Sequence, residues 1–222
     1  MEKRRKNRII LKHRYRDSRF RRKKTGSSQY IFQMFMVLLL PIVTGVFAIS
    51  EDIITVVGGS SYVEASGSLR ILSISLIFSI LATFYTNAVL LPVKKEKTVM
   101  IATIISATVN VVLNLVILSA MKQNGAALTT LLAEFIMFAY QYYYSRDYLR
   151  IELSKNFYIS IALGCIWIVA STSIIHVLIS QFVLQLIMKI CLAASGYLGI
   201  LMLFKNDIAI YYFCLLKRRI KG

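Results

Sequence analysis

Between Arg70 and Tyr144 the sequence lays down three apolar runs in close succession: LRILSISLIFSILATFYTNAVLLP, VMIATIISATVNVVLNLVILSA and GAALTTLLAEFIMFAYQYYY. At about 1.5 Å of rise per helical residue, each is long enough to cross a hydrocarbon core about 30 Å thick. Each also carries a line of small, hydroxyl or amide side chains on one helical face, since residues three, four or seven apart share a face. The first has Ser75, Ser79, Thr83 and Asn87; the second has Thr103, Ala107, Asn110 and Asn114; the third has Thr130, Glu134 and Gln141. Plain lipid anchors have no use for such lines. Neighbouring helices with polar faces bury them against one another or around water. The three runs therefore predict a polar cavity inside a membrane bundle.

Three further runs extend the pattern, so an all-α, polytopic bundle of about six membrane helices is expected, with spans at about 30–49, 69–91, 99–120, 125–144, 157–179 and 182–204. Pro41 sits near the middle of the first and is expected to kink it, because proline removes an internal hydrogen bond. The segment after it, SEDIITVVGGSSYVEASGS, reads as a partly ordered loop. In the last two spans, Ser160-x-x-x-Gly164 and Ser195-x-x-x-Gly199 are pairs of small residues that let helices approach closely.

A net charge of +17 in 222 residues would ordinarily point to nucleic acid, but its placement points to a membrane. Thirteen of the 27 basic residues lie in Lys3–Lys24. Residues 1–27 thus form a basic arm and 28–222 the membrane lobe. With the arm in the cytoplasm, six spans return the C-terminus to the same side. That side then collects 24 of the 27 basic residues: thirteen in the arm, three in each of two loops and five from Lys205 onward. The positive-inside rule selects this orientation, both termini cytoplasmic. Arg4, Arg5, Lys6, Arg21, Arg22, Lys23 and Lys24 are candidate contacts for anionic lipid, each basic residue near the surface contributing about 1 kcal/mol; the simpler role of the arm is to fix topology.

Cys165, Cys191 and Cys214 are embedded in apolar sequence and have the spacing of neither a disulfide framework nor a zinc site. The sequence shows no phosphate-binding G-x-x-x-x-G-K-[ST] and no G-x-S-x-G nucleophile turn. No catalytic residue, metal or cofactor is implied, and the chain does not read as an enzyme.

The candidate lumen residues are Asn87, Asn110, Asn114, Thr130, Glu134, His176, Gln185 and Lys189. The asparagines suit sugar hydroxyls but serve equally as hydrogen bonds between helices, a contribution of about 0.6 kcal/mol and at most about 1.7. Glu134, if ionised at mid-membrane, carries a penalty on the order of 2.5–3.5 kcal/mol. It must be protonated, paired or facing water. Lys189 lies about 12 Å down its helix from Gln181. Its ammonium either snorkels to the outer surface or, with His176 and Gln185 at similar depth, meets a phosphate. Arg70 reads as an interface anchor.

GGSSYVEASGSLRILSIS, TNAVLLPVKKEK, ATVNVVLNLVIL and NGAALTTLLAEF, in that order, resemble the C-terminal half of polysaccharide or O-antigen flippases, exporters of lipid-linked oligosaccharide within the multidrug/oligosaccharidyl-lipid/polysaccharide superfamily. The likeness covers roughly residues 29–150. It implies one lobe of a two-lobe transporter in the bacterial inner membrane that moves an undecaprenyl-diphosphate-linked glycan between leaflets, the partner lobe being a second copy or a separate N-terminal lobe. It also implies that membrane lipids, not nucleic acid, are the surroundings, and that the last helix pair lies beside the lipid tail. Two other readings stand beside it: an inactive fragment of a transporter, and a membrane scaffold whose basic arm recruits lipid or a partner.

Overall fold

The computed structural model describes residues 28–149, 151, 153–179, 181–204, 206 and 208. The basic arm and its candidate lipid contacts lie outside them. Among the described residues every regular element is helical. Helix α1 is Ser28–Ala48, followed by α2, Ser50–Gly58, a 3-10 segment Ser60–Ala65 and α3, Ser66–Tyr85. Then come a π turn Thr86–Leu90, a 3-10 turn Leu91–Val93, α4, Glu96–Ser145, α5, Lys155–Leu178, and α6, Phe182–Leu203.

Five of these stretches are long and apolar enough to cross a membrane, and α4 does so twice. Its 50 residues would span about 75 Å if straight. The backbone breaks at Lys122, where φ is 49° and ψ −131°. Ser106 Oγ then donates to the carbonyl of Ala133 at 2.9 Å, a separation of about 40 Å along a straight helix. Residues 96–121 and 123–145 are thus two antiparallel arms. Gly125 makes the fold-back possible, since a Cβ there would press on Ile117 and Met121 at 3.0 Å. The six expected spans correspond to α1, α3, the two arms, α5 and α6.

Helix α3 runs parallel to the second arm. Ser68 Oγ donates to Asn124 Oδ1 at 2.7 Å near its start, and Thr86 Oγ1 to Gln141 Oε1 at 2.8 Å near its end. Phe78 lies edge-on to Phe135 between them, with ring centroids 5.2 Å apart. Pro92 has no N–H for the carbonyl of Ala88, and the helix widens into its π turn there. The chain then stops in a Schellman cap: Lys95 N–H reaches Leu90 O, Lys94 N–H reaches Leu91 O, and Lys94 takes the left-handed conformation at φ 59°.

Helix α1 is the partition of the lobe. Phe32 and Phe35 pack with Phe84, Tyr85 and Val89 of the α3 side, while Val37, Met36 and Leu40 pack with Phe157, Ile161, Ile168, Tyr197 and Leu201 of the α5–α6 hairpin. The helix runs unbroken through Pro41. Proline cannot supply the donor that the carbonyl of Val37, four residues earlier, normally receives. Tyr197 Oη supplies it from α6 at 2.7 Å. The defect in α1 is the attachment point of α6.

Two expectations are corrected here. Residues 50–66 are an ordered helical elbow, not a loop: Arg70 ties it down, its Nε donating to the fully buried Ser50 Oγ and its Nη2 to Glu51 Oε1, both at 2.8 Å. Of the small-residue pairs, Gly164 does meet a neighbouring helix, the ring of Tyr197 occupying the space a Cβ would take. Gly199, however, has open space around it, and the close approach falls at Gly196, where the indole of Trp167 sits. Which glycine faces the partner depends on helix rotation, which the spacing of small residues does not specify.

Candidate functional site: polar stripes and a charged chamber

The polar lines of α3 and α4 lie on the surface of the lobe more than within it. Thr83, Asn87 and Thr103 are exposed, and Asn110, Asn114, Thr130 and Glu134 are half-buried. Their hydrogen bonds stay within their own helices. Asn87 Nδ2 donates to Thr83 O at 3.0 Å, Thr130 Oγ1 to Ala126 O at 2.9 Å, and Asn114 Nδ2 to Asn110 Oδ1 one turn away. Among the described residues, the side-chain bonds between these helices run from Ser68 to Asn124, from Thr86 to Gln141 and from Ser106 to the Ala133 carbonyl. Glu134 stands apart: its Oε2 is buried and has no hydrogen-bond partner among the described residues.

His176, Gln185 and Lys189 form a second site beside α1, on the hairpin. Gln185, buried, donates Nε2 to His176 O at 3.1 Å and lies 3.3 Å from His176 Nδ1. Lys189 neither snorkels nor stands free for a phosphate. It is 4% exposed and its Nζ donates to Asp52 Oδ2 at 2.6 Å. An ammonium about two turns inside a span needs a counter-charge, because desolvation there is costly. The elbow provides it, bringing Asp52 of α2 to Lys189 about two turns into α6. Asp52 was missed in the sequence. A signal existed: a lone intramembrane lysine calls for a carboxylate, and Glu51, Asp52 and Glu64 are the acids on its side of the bilayer.

With Glu51 and Arg70, His176, Lys189 and Asp52 line a chamber of about 480 Å³ between α1, α2, α3, α5 and α6. An apolar groove of about 460 Å³ lies between α1 and α6, and Thr172 and Lys189 belong to both walls. A third cavity, about 570 Å³, sits among Phe32, Tyr85, Tyr142, Arg146 and Tyr158, with the Arg146 guanidinium over the Tyr143 ring at 4.2 Å. Among the described residues no three His, Cys, Asp or Glu side chains are grouped to hold a metal.

Paired apolar helices long enough to cross a membrane, partitioned by one central helix, define a multi-pass helical membrane protein, and the family it matches is one of flippases for a lipid-linked precursor. The model of the family described as "Lipid II flippase MurJ" matches residues 24–196, so the chain belongs to the MurJ lipid II flippase family. No curated protein matches the chain. Among solved structures, a lipid II flippase MurJ in an inward closed conformation superposes with a TM-score of 0.66 at 18% identity, over 85% of this chain and 40% of that one. The chain therefore spans less than half the length of that structure. The expected superfamily stands, while its polysaccharide and O-antigen branch gives way to the lipid II branch. The motif strings carried the lobe's architecture, which the branches share, and not the glycan.

Proposed function

We propose that this chain is one lobe of a flippase for lipid II, the lipid-linked peptidoglycan precursor, working in the bacterial inner membrane with both termini cytoplasmic. The observation that carries the reading is the unclosed polar face of α3 and α4. Asn87, Asn110, Asn114, Thr130 and Glu134 lie at membrane depth, partly exposed, with Glu134 Oε2 unpaired among the described residues. Such groups need protein or water opposite them. A second lobe, from another copy of this chain or from a separate chain, closes a wet cavity over them. The sugar–peptide head passes through that cavity while the polyprenyl tail stays in the bilayer, and rocking of the lobes gives alternating access. No bond is made or broken.

The test is translocation of lipid II in cells depleted of their own flippase, read by accessibility to an external lipid II-cleaving enzyme. This chain, alone or with a separately expressed N-terminal lobe, is expected to restore it, and Asn110→Ala and Glu134→Gln to reduce it at unchanged protein level. Restoration of O-antigen export instead returns the substrate to the polysaccharide branch. Failure in both strains, with and without a partner lobe, identifies an inactive fragment.

A further inference from the structure

The elbow between α1 and α3 has a base that is fully engaged and a tip that is not. At the base, Ser50 and Glu51 accept from Arg70 of α3, and Asp52 accepts from Lys189 of α6. From Ile53 to Val63 no residue is charged. The chain turns at Gly59, where φ is 83°, and the Tyr62 side chain packs over Gly58, 3.1 Å from where a Cβ would stand. Val56, Val57 and Tyr62 are left 57%, 81% and 65% exposed. Ser60 and Ser61 between them are exposed as well.

The position of the elbow decides what lies opposite this tip. It connects two stretches that are each long enough to cross a membrane, so it is held at the level where they leave the hydrocarbon. Asp52 narrows that level. Lys189 lies about 10 Å along α6 from its first residue, Phe182, at 1.5 Å per residue, and the Asp52 carboxylate is 2.6 Å from its ammonium. Even with the lysine stem stretched toward the surface, that carboxylate stays short of the end of α6. The elbow is drawn down to the membrane surface and not raised above it.

We propose that the tip of the elbow is an interfacial membrane anchor, seated in the bilayer surface through Val56, Val57 and Tyr62. Short apolar segments at this level sit about 5–10 Å into the boundary between headgroups and acyl chains. The valines meet the upper acyl chain, and the tyrosine, amphipathic by construction, keeps its hydroxyl among the headgroups. The tip carries no cation, and the nearby Arg70 is already paired with Glu51. The anchor is therefore indifferent to headgroup charge and to salt, unlike a basic segment that binds anionic lipid. With its tip in lipid and its base on Arg70 and Lys189, the elbow fixes the height of Asp52 against α6. That role is independent of what the lobe carries.

The test uses the full chain in open membrane fragments, with Val57→Cys and Glu64→Cys, both at exposed positions, read against the wild-type background. A charged maleimide is expected to label Val57→Cys about tenfold more slowly than Glu64→Cys, at low and high salt alike and equally in neutral and anionic lipid. Tyr62→Trp identifies what gives the protection. Its emission, taken as the difference from wild type so that Trp167 stays in place, is expected to be quenched by phospholipid brominated near the top of the acyl chain. Phospholipid brominated near the chain end should quench it about twofold less. Equal labelling of the two cysteines places the tip in water and overturns the anchor. Protection without quenching by either lipid means that protein covers the tip, a second copy or another chain, and overturns it too. So does stronger quenching by the deeper bromine, or protection that salt or anionic lipid changes. None of these outcomes depends on flipping activity.

Discussion

Replacing Tyr197 by phenylalanine deletes one oxygen, and its cost depends on a proline 156 residues away in sequence. In the native lobe, Tyr197 Oη donates to Val37 O at 2.7 Å, and both residues are buried, at 6% and 5% exposure. Pro41 denies that carbonyl its helical donor. Tyr197→Phe therefore leaves a buried carbonyl without a partner, and should cost about 1–3 kcal/mol. Pro41→Ala supplies an N–H to Val37 O and removes the helix-interior penalty of proline, which reaches about 3 kcal/mol. In that background the phenol bond is one of two on the same oxygen. Its loss should then cost about 0.6 kcal/mol, the ordinary worth of a hydrogen bond in a membrane interior. A double-mutant cycle on unfolding in mixed micelles should thus show a coupling of about 1.4 kcal/mol between positions 41 and 197, within a range of roughly 0.4–2.4. Independent sites add to within about 0.3–0.5 kcal/mol. A coupling inside that margin would refute the claim that the tyrosine substitutes for the missing amide.

Three further outcomes are expected. Lys189→Met strands the Asp52 carboxylate and should destabilise the lobe by about 3–5 kcal/mol, whereas Lys189→Met with Asp52→Leu should recover most of that loss; equal losses in the single and double variants on chemical unfolding would count against a buried pair. Gly196→Ala places a methyl in the space of the Trp167 indole, costing about 1–3 kcal/mol through overpacking and breaking the 3.1 Å bond from Trp167 Nε1 to Leu192 O. Because Trp167 is the single tryptophan of the chain, its emission should shift in this variant and stay unchanged in Gly199→Ala. Lys94→Gly at the left-handed cap of the 3-10 turn Leu91–Val93 should stabilise by roughly 1 kcal/mol, seen as a higher unfolding midpoint with no change in slope.

The polytopic helical class was legible because hydropathy over some twenty residues is a sum, insensitive to how any one side chain is turned. The break between the arms of α4 was legible as well, since MKQN interrupts two apolar runs. The elbow was not. SEDIITVVGGSS has the glycines and serines of a loop, and its order comes from Arg70, twenty residues later, reaching back to Ser50 and Glu51. Lys189 failed for the same reason: its partner lies 137 residues away, and a local pattern holds no information on that distance. The polar stripes are a matter of spacing alone. Whether a stripe faces inward is set by packing against whatever lies opposite, and for Asn87 and Thr83 the described lobe places nothing there.

The two kinds of polar residue answer to different physics, which separates their roles. Lys189, Gln185 and Ser50 are buried, Asp52 is half-buried, and all four are satisfied by partners on other elements; removing one strands another, so they tie α2 to α3 and α6, and α6 to α5. Asn87, Asn110, Asn114 and Thr130 are satisfied within their own helices and exposed to varying degrees, so substituting them costs the fold little. A residue that the fold does not need, at a depth where polar atoms are expensive, is free to serve a ligand. Alanine at Asn110 should therefore leave the unfolding midpoint nearly unchanged and lower translocation, while alanine at Gln185 should do the reverse at matched protein level. If Asn110→Ala unfolds the lobe as readily as Gln185→Ala, the α4 stripe is structural glue and the lumen must be sought elsewhere.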